Sequence, residues 1–196
     1  YTYANITNPS STSIAYDGQT ASLPPGSSEA PVTGTEASTA EYTALRSSDD
    51  SRFDTQISNS TGAHVYQSFK FKVSESPSDI TSMRFSHEGY ATRKNVQEAD
   101  PFRIYIYNWT SDSYQLLQSV SESATDVVSE VNIQSGFLNY VSGGQSYFLV
   151  EGEFLTGGGA NARADMHTDH VTLEVSKIPA IGGSASPINA TATDAD

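Results

Sequence analysis

From about Glu41 onward the apolar residues recur at every second position, and this pattern constrains the fold more than any other feature. Within residues 65–73, one face of the pattern is apolar and carries Val65, Phe69, Phe71 and Val73. The other face carries Tyr66, Ser68, Lys70 and Lys72. A period of two is typical of strands with one buried face. The sequence therefore predicts β-strands rather than amphipathic helices.

Counting the segments of this kind predicts about eight or nine strands. Residues 102–109 (FRIYIYNW) have large side chains on both faces, which indicates a central strand covered on both sides. Residues 108–114 predict a β-hairpin turn, and residues 136–144 a single helical turn. Strands of this number, separated by turns, favour an all-β, antiparallel β-sandwich or jelly roll.

The two ends of the chain differ in composition from this middle part. Residues 8–40 hold four of the eight prolines and few large apolar side chains. We predict a strand and a Pro/Ser-rich, irregular, extended segment over residues 1–40, the sandwich domain over residues 41–176, and an extended low-complexity tail over residues 177–196. Ordering such a tail costs ~1 kcal/mol or more per residue. Either a neighbouring subunit or the tail's own domain must hold it.

Charge and composition exclude several classes of function. The net charge is −13, with only 10 Lys and Arg against 23 Asp and Glu, so nucleic acid is not an expected partner. No apolar run approaches the roughly 18 residues of a membrane span. The chain contains no cysteine, which excludes disulfides and thiolate metal ligands. It begins at Tyr1 without an apolar leader, so we expect a mature, exported chain.

Asparagine sequons support an extracellular location. The motif Asn-x-Ser/Thr, which accepts N-linked glycans, occurs at Asn5, Asn59, Asn108 and Asn189. A quarter of the chain, 30 Ser and 19 Thr among 196 residues, carries a small hydroxyl group, so some sequons arise by chance. Glycosylation at these four positions is a prediction.

Acidic residues suggest one metal site. Asp49, Asp50 and Asp54 lie near the start of the predicted domain, and Asp169 lies at its last strand. First and last strands are commonly neighbours in a sandwich, so these carboxylates could meet. Ca²⁺ takes six to eight oxygen ligands of this kind. The alternative is that Asp49 and Asp50 cap a turn and Asp169 is solvated. Calcium is the only cofactor that the sequence suggests.

The motifs of common catalytic sites are absent from the sequence. There is no Gly-x-Ser-x-Gly elbow and no His-Glu-x-x-His motif, and the Gly157–Gly159 run lacks the Lys-Ser/Thr of a phosphate-binding loop. We therefore expect a protein that is not an enzyme.

Aromatic residues are concentrated in the strands. Tyr105, Tyr107, Trp109 and Tyr114 share the segment around the predicted hairpin. Exposed rings could stack on sugars and form a carbohydrate platform. The same rings could instead pair across the hairpin or form the centre of an interface. The sequence favours packing or an interface over an open platform.

Residues 41–176 resemble a family of β-sandwich modules in secreted and cell-surface proteins of archaea, methanogens especially. The matching features are Ser48–Asp50, Phe69–Phe71, residues 74–80 (SESPSDI), Gly89-Tyr90, residues 104–109 and residues 168–171. The resemblance implies a jelly-roll-like building block of surface layers, sheaths or adhesins. It also implies that Asp169 is similar to an aspartate that serves calcium in carbohydrate-binding jelly rolls.

Our leading hypothesis is an extracellular structural subunit that assembles with copies of itself into a filament, sheath or surface layer. The segment with Tyr1, Tyr3 and Asn5 on one side would add as a strand to an open sheet of the next subunit. The alternatives are a calcium-dependent carbohydrate-binding or adhesion module that recognises glycans, and a viral coat or spike protein.

Overall fold

The computed structural model describes residues 2–5, 13–20, 31, 33–58, 63–93, 98–154 and 163–179, which contain eleven strands and two short helices. The strands are β1 (Thr2–Asn5), β2 (Ile14–Thr20), β3 (Thr35–Glu36), β4 (Phe53–Ser58), β5 (His64–Lys72), β6 (Ile80–Arg93), β7 (Glu98–Asn108), β8 (Ser113–Ser123), β9 (Val127–Ile133), β10 (Gln145–Phe154) and β11 (Arg163–Lys177). The helices are α1 (Thr39–Ala44) and α2 (Phe137–Tyr140). The predicted all-β class is confirmed.

The strands form one curled antiparallel sheet that closes on itself as two layers. Its main path runs β1-β11-β6-β7-β10-β5-β2-β3, while β4 also pairs with β11, β8 with β7 and β9 with β6. β6 and β7 pair over only three positions, Ala91–Arg93 opposite Glu98–Asp100. This short junction connects a first layer (β1, β4, β11, β6, β9) to a second layer (β8, β7, β10, β5, β2, β3). The arrangement is the predicted β-sandwich.

The core lies between the two layers and is rich in phenylalanine. Phe85 of β6 stacks on Phe148 of β10, with ring centroids 4.3 Å apart and an interplanar angle of 4°. Phe71 of β5 meets both rings edge-on, at 6.1 and 6.0 Å. All three side chains are fully buried. The predicted apolar face of residues 65–73 lies in this same core.

The structure corrects the prediction for the N-terminal segment. Within residues 8–40, predicted to be irregular, residues 14–20 form β2 and pair along β5. The Tyr42 hydroxyl accepts a hydrogen bond from the Ala15 amide at 3.2 Å and donates one to Glu36 at 3.1 Å. Ala15, opposite Phe69, is fully buried. Small side chains and one glycine give β2 a weak alternation, which is why the pattern did not reveal it.

Close backbone contact explains another small residue beside β2. A Cβ atom on Gly34 would lie 1.7 Å from the carbonyl oxygen of Asp17, a distance that no side chain tolerates. β3, which pairs with β2 at Tyr16 and Asp17, follows directly. With β2 and β3 added, the described residues have eleven strands instead of the eight or nine predicted.

Local turn chemistry matches two sequence predictions. Asn108 and Ser113 face each other at the end of the β7–β8 hairpin, where Asn108 Oδ1 accepts hydrogen bonds from the amides of Thr110 and Ser111. Asp112 adopts a φ of 50° in this turn, which a short polar side chain tolerates. The single helical turn predicted over residues 136–144 is α2. Both predictions are confirmed.

β1 pairs with its own chain. Thr2 lies opposite Val175 and Asn5 opposite Thr172, so β1 occupies one side of β11. Of the predicted assembly residues, Tyr3 and Asn5 belong to this strand, while Tyr1 lies outside the described residues. Most of the predicted tail also lies outside them. Neither helix of the described part is long and apolar enough to cross a membrane.

Candidate functional site

A second aromatic cluster covers the face of the second layer that points away from the core. β7 directs Phe102, Ile104 and Ile106 into the core, so Tyr105 and Tyr107 point the other way. The members of this cluster are Tyr66, Tyr105, Tyr107, Tyr114, Tyr147 and Leu149, with Trp109 packed against them. We call this cluster the tyrosine layer. It confirms the prediction that both faces of residues 102–109 are covered.

The rings of the tyrosine layer interlock edge to face. Tyr107 meets Trp109 at 5.1 Å and Tyr114 at 5.2 Å between ring centroids. Trp109 in turn meets Tyr147 at 5.8 Å. Such pairs contribute about 0.5–1.5 kcal/mol each beyond the burial of area. The contacts fix the Trp109 ring from two sides, through Tyr107 and Tyr147.

Burial separates the four aromatic residues singled out in the sequence. Tyr105, Tyr107 and Tyr114 are 3%, 1% and 5% exposed, so they are packed rings. These three rings therefore pack within the protein, as the sequence favoured, and do not form an open platform for a sugar. Trp109 is partly exposed and lies at the margin of the layer.

Polar atoms border the layer. The Tyr107 hydroxyl donates a hydrogen bond to Asp112, and burial, followed by the Asp112 carboxylate, raises the pKa of Tyr107 to about 12. The Tyr147 hydroxyl donates to Gln145 at 3.3 Å, and burial raises its pKa. The indole N–H of Trp109 has no hydrogen-bond partner in the described part of the chain. The layer thus combines apolar ring surface with two hydroxyl groups that already donate within the chain and with a buried indole N–H.

Three carboxylates converge at one end of the sandwich. Asp50, Asp126 and Asp169 each place an oxygen within 4.8 Å of the others. Asp169 is buried and accepts a hydrogen bond from the Asp49 amide at 3.3 Å. The predicted meeting of the Asp50 region with Asp169 is therefore what the structure has. Carboxylate oxygens are the donors that Ca²⁺ takes.

Sequence reasoning missed Asp126, because its nearness depends on strand pairing. β9 begins one residue after it and lies along β6, which also pairs with β11, the strand of Asp169. No local motif around Asp126 signals this. Two other predicted ligands lie outside this group. The Asp49 carboxylate accepts hydrogen bonds from the Ser47 hydroxyl and the Ser51 amide within its own turn. The Asp54 carboxylate forms a hydrogen bond of 2.7 Å with His167 Nδ1.

Arg52 already neutralises part of this acidic cluster. Its guanidinium binds Asp126 at 2.6 Å and Asp50 at 3.4 Å. The hydrogen bond to Asp126 raises the pKa of Arg52 above its ordinary value despite partial burial. A cation held by the three carboxylates would share two of them with Arg52. Hydrogen bonds from Ser47 and Ser51 lower the pKa of Asp49, which stays ionised in its turn.

One hydroxyl–imidazole–carboxylate series lies on the outer face of the first layer. His167 Nδ1 contacts Asp54 and its Nε2 contacts the Thr92 hydroxyl at 3.2 Å. This order of groups is that of a nucleophilic triad. Thr92 is only 3% exposed, however, and its hydroxyl also faces Asp165. These hydrogen bonds therefore connect β4, β6 and β11 to one another. The Thr92 hydroxyl is too buried for a substrate to reach it.

The sequons lie in different settings. Asn108 closes the β7–β8 hairpin and is partly exposed, and Asn5 ends β1. Asn59 and Asn189 lie outside the described residues. Glycosylation at the four positions stays a prediction.

Solved structures of low overall similarity include three sugar-binding proteins. TmCBM61 in complex with beta-1,4-galactotriose is 9% identical, with 85% of this chain and 90% of that chain covered and a TM-score of 0.41. A point mutant of CBM29-2, a family 29 carbohydrate binding module, is 11% identical, with 89% and 92% covered and a TM-score of 0.40. The CBM22-1 xylan-binding domain of Paenibacillus barcinonensis Xyn10C is 10% identical, with 67% and 86% covered and a TM-score of 0.33.

These scores are too low to carry an argument about a ligand. A search of curated proteins found no match. The profile of the AF_1625_C family, described as "Uncharacterized protein, C-terminal domain", matches residues 10–177. Since this match covers most of the sequence, the chain belongs to the AF_1625_C family.

Proposed function

We propose that this protein is an extracellular, non-enzymatic carbohydrate-binding or adhesion module and that Trp109, at the margin of the tyrosine layer, contacts the glycan. One observation carries the proposal: a partly exposed indole ring is held in place by two buried tyrosines on a face that the core does not use.

The chemistry of the tyrosine layer suits a sugar. A sugar ring has apolar C–H faces and a rim of hydroxyls, so it pairs with aromatic surface beside polar groups. Because Tyr107 and Tyr147 already fix Trp109, binding would cost little additional side-chain entropy. The net charge of −13 repels acidic polymers, so we expect neutral polysaccharides and oligosaccharides to bind better than acidic ones.

The test is binding to a panel of neutral and acidic glycans, followed by calorimetry on the hits. Trp109→Ala should weaken binding by at least ~2 kcal/mol, or about thirtyfold, as for a central aromatic contact. Tyr90→Ala is the matched control, because Tyr90 is also partly exposed but lies on the outer face of the other layer. Equal losses in both variants, or no binding to any glycan, would contradict the proposal.

Self-assembly is the competing function, and it stays a prediction. β1 pairs with β11 of its own chain. No contact in the described residues therefore favours the exchange of this strand between subunits through Tyr1, Tyr3 and Asn5. Electron microscopy of the purified protein decides between the two. Ordered filaments or layers that disappear on deletion of residues 1–7 would favour polymerisation or a viral coat, and glycan-binding monomers would favour the module. The calcium requirement also stays a prediction, with Asp50, Asp126 and Asp169 as its ligands.

A further inference from the structure

The β7–β8 hairpin places a glycan acceptor next to the partly exposed indole. Asn108, Trp109 and Thr110 form the motif Asn-x-Thr, which accepts N-linked glycans. Asn108 is the last residue of β7 and lies opposite Ser113, and both Asn108 and Trp109 are partly exposed. Consecutive Cα atoms are about 3.8 Å apart. A sugar attached to Asn108 therefore starts one residue away from the proposed glycan contact.

The hydrogen bonds of Asn108 leave its glycan-bearing atom available. The Oδ1 atom accepts hydrogen bonds from the amides of Thr110 and Ser111 at 3.0 and 3.1 Å. The Nδ2 atom, through which an N-linked glycan is attached, makes no hydrogen bond to the described residues. It is also not one of the side-chain atoms that the fold buries without a partner. A glycan on Nδ2 therefore breaks none of the bonds that hold this turn.

Both the attachment point and the indole ring are held in place. The Trp109 amide donates to the carbonyl oxygen of Asn139 at 2.7 Å, and the Thr110 hydroxyl donates to Asn139 Oδ1 at 2.8 Å. Tyr107 and Tyr147 contact the indole ring itself. Because these contacts come from other parts of the protein, the turn cannot carry an attached glycan away from the ring by a local movement of the backbone.

We propose that Asn108 carries an N-linked glycan that folds back over Trp109 and closes this surface to other glycans. The inference rests on the proposed function, because it names a regulator of the same site. The oligosaccharide comes from a lipid-linked phosphate donor of the secretory glycosylation machinery. The bond between Nδ2 and the sugar C1 atom forms, and the C1–O bond to the phosphate breaks. The lipid phosphate leaves with the electron pair, and Nδ2 loses one proton to solvent.

Attachment gives the bound sugar an advantage over a free one. A neutral sugar offers the indole the same apolar C–H face whether it is attached or free. A short flexible connection gives an effective concentration in about the mM range. If both sugars have a Kd of about 0.1 mM, the free glycan should bind about tenfold more weakly to the modified protein. The same ratio keeps the ring covered for most of the time.

Fluorescence tests the covering directly, because Trp109 is the single tryptophan of the chain. The wild type and Asn108→Asp are both secreted from a eukaryotic host that adds N-linked glycans. Asn108→Asp keeps an oxygen that accepts the bonds of the turn, and it keeps the other three sequons. Acrylamide, a neutral quencher, should quench the wild type several times less strongly than the variant. Equal quenching would overturn the inference.

The occupancy of Asn108 is measured on the same secreted protein. Peptide N-glycosidase turns each glycosylated asparagine into aspartate, so peptide masses show which sequons carried a glycan. We expect aspartate at position 108 of the wild type after this treatment. An asparagine that remains at this position would overturn the inference.

Glycan binding separates this inference from the proposed function. If the unmodified wild type from a bacterial host binds no glycan, the proposed function is wrong, and the quenching comparison still decides whether the attached glycan covers Trp109. If it does bind, the secreted wild type should bind the same neutral glycan about tenfold more weakly, and secreted Asn108→Asp should bind as tightly as the bacterial protein. Thr110→Ser is the matched control, because it keeps the sequon and a hydroxyl for Asn139, so its secreted form should stay weak. Equal affinities of the secreted wild type and Asn108→Asp would overturn the inference alone.

Discussion

Replacing His87 by glutamine should change how the stability of the protein depends on pH. In the folded protein burial lowers the pKa of His87 from 6.5 to about 3, while in the unfolded chain the ring regains its ordinary value. Between these two values the unfolded chain binds a proton that the folded protein rejects. Stability contributed by neutral His87 is therefore complete above pH 6.5 and is lost as the pH falls towards 3.

The size of this effect follows from the shift. Each pH unit within the window is worth about 1.4 kcal/mol, so His87 should destabilise the wild type by about 2 kcal/mol at pH 5. His87 Nε2 lies 2.8 Å from the Thr168 hydroxyl. His87→Gln retains a polar group for this contact but cannot take up the proton. The difference in unfolding free energy between variant and wild type should thus shift by about 2 kcal/mol in favour of the variant between pH 7 and pH 5.

Urea unfolding of both proteins at several pH values measures this difference. Only its pH-dependent part matters, because the substitution also changes packing by an amount that does not vary with pH. Carboxylates titrate in both proteins and cancel in the comparison. If the two stability curves run parallel from pH 7 to pH 4, the folded protein accommodates a charged His87, and the reasoning from burial is wrong.

Three further predictions concern packing, capping and metal. Phe148→Ala should cost about 3–5 kcal/mol in urea unfolding, because it removes a fully buried stacked ring, whereas Leu116→Ala, at a position 49% exposed, should cost well under 1 kcal/mol. Ser38→Ala should lower the free energy of unfolding by about 0.5–2 kcal/mol, because it removes one half of the capping box of α1. Ser38→Asp keeps a capping oxygen and is the control, so it should not show this loss. Adding Ca²⁺ after chelation should raise the melting temperature of the wild type but not of Asp126→Asn, and an unchanged wild-type melting temperature would end the calcium prediction.

The sequence predicted the strands whose alternation uses large side chains. In residues 65–73 and 102–109, bulky residues occupy every second position. Because a shift of one residue would move all of them to the opposite face of the sheet, their burial fixes the register of the strand. The pattern did not predict β2, because its contact with β5 uses alanine and glycine. These small residues fit where larger side chains do not, and they give no alternation of large apolar side chains. Its position depends on Tyr42 of α1, a contact across 27 residues that no local pattern contains.

The candidate sites show the same division. Asp50 and Asp169 were predicted to meet because first and last strands of a sandwich lie together, and this argument needs only the order of the strands. Asp126 could not be predicted, since its nearness to Asp169 depends on the pairing of β9 with β6 and of β6 with β11. The burial of Tyr105 and Tyr107 was predicted, because residues 102–109 carry large side chains on both faces. Their partners Tyr66 and Tyr147 come from other strands, and alternation within one strand does not identify such partners.

The pairings of β11 have a consequence for biosynthesis. This strand, Arg163–Lys177, lies against β6, β4 and β1, so it supplies the middle of the first layer although it is the last strand of the described chain. A nascent polypeptide cannot complete that layer until residue 177 has left the ribosome, and the edge of β6 that pairs with β11 stays unpaired while residues 94–162 are synthesised. A chaperone or translocase that keeps the polypeptide extended therefore has a long interval in which to act.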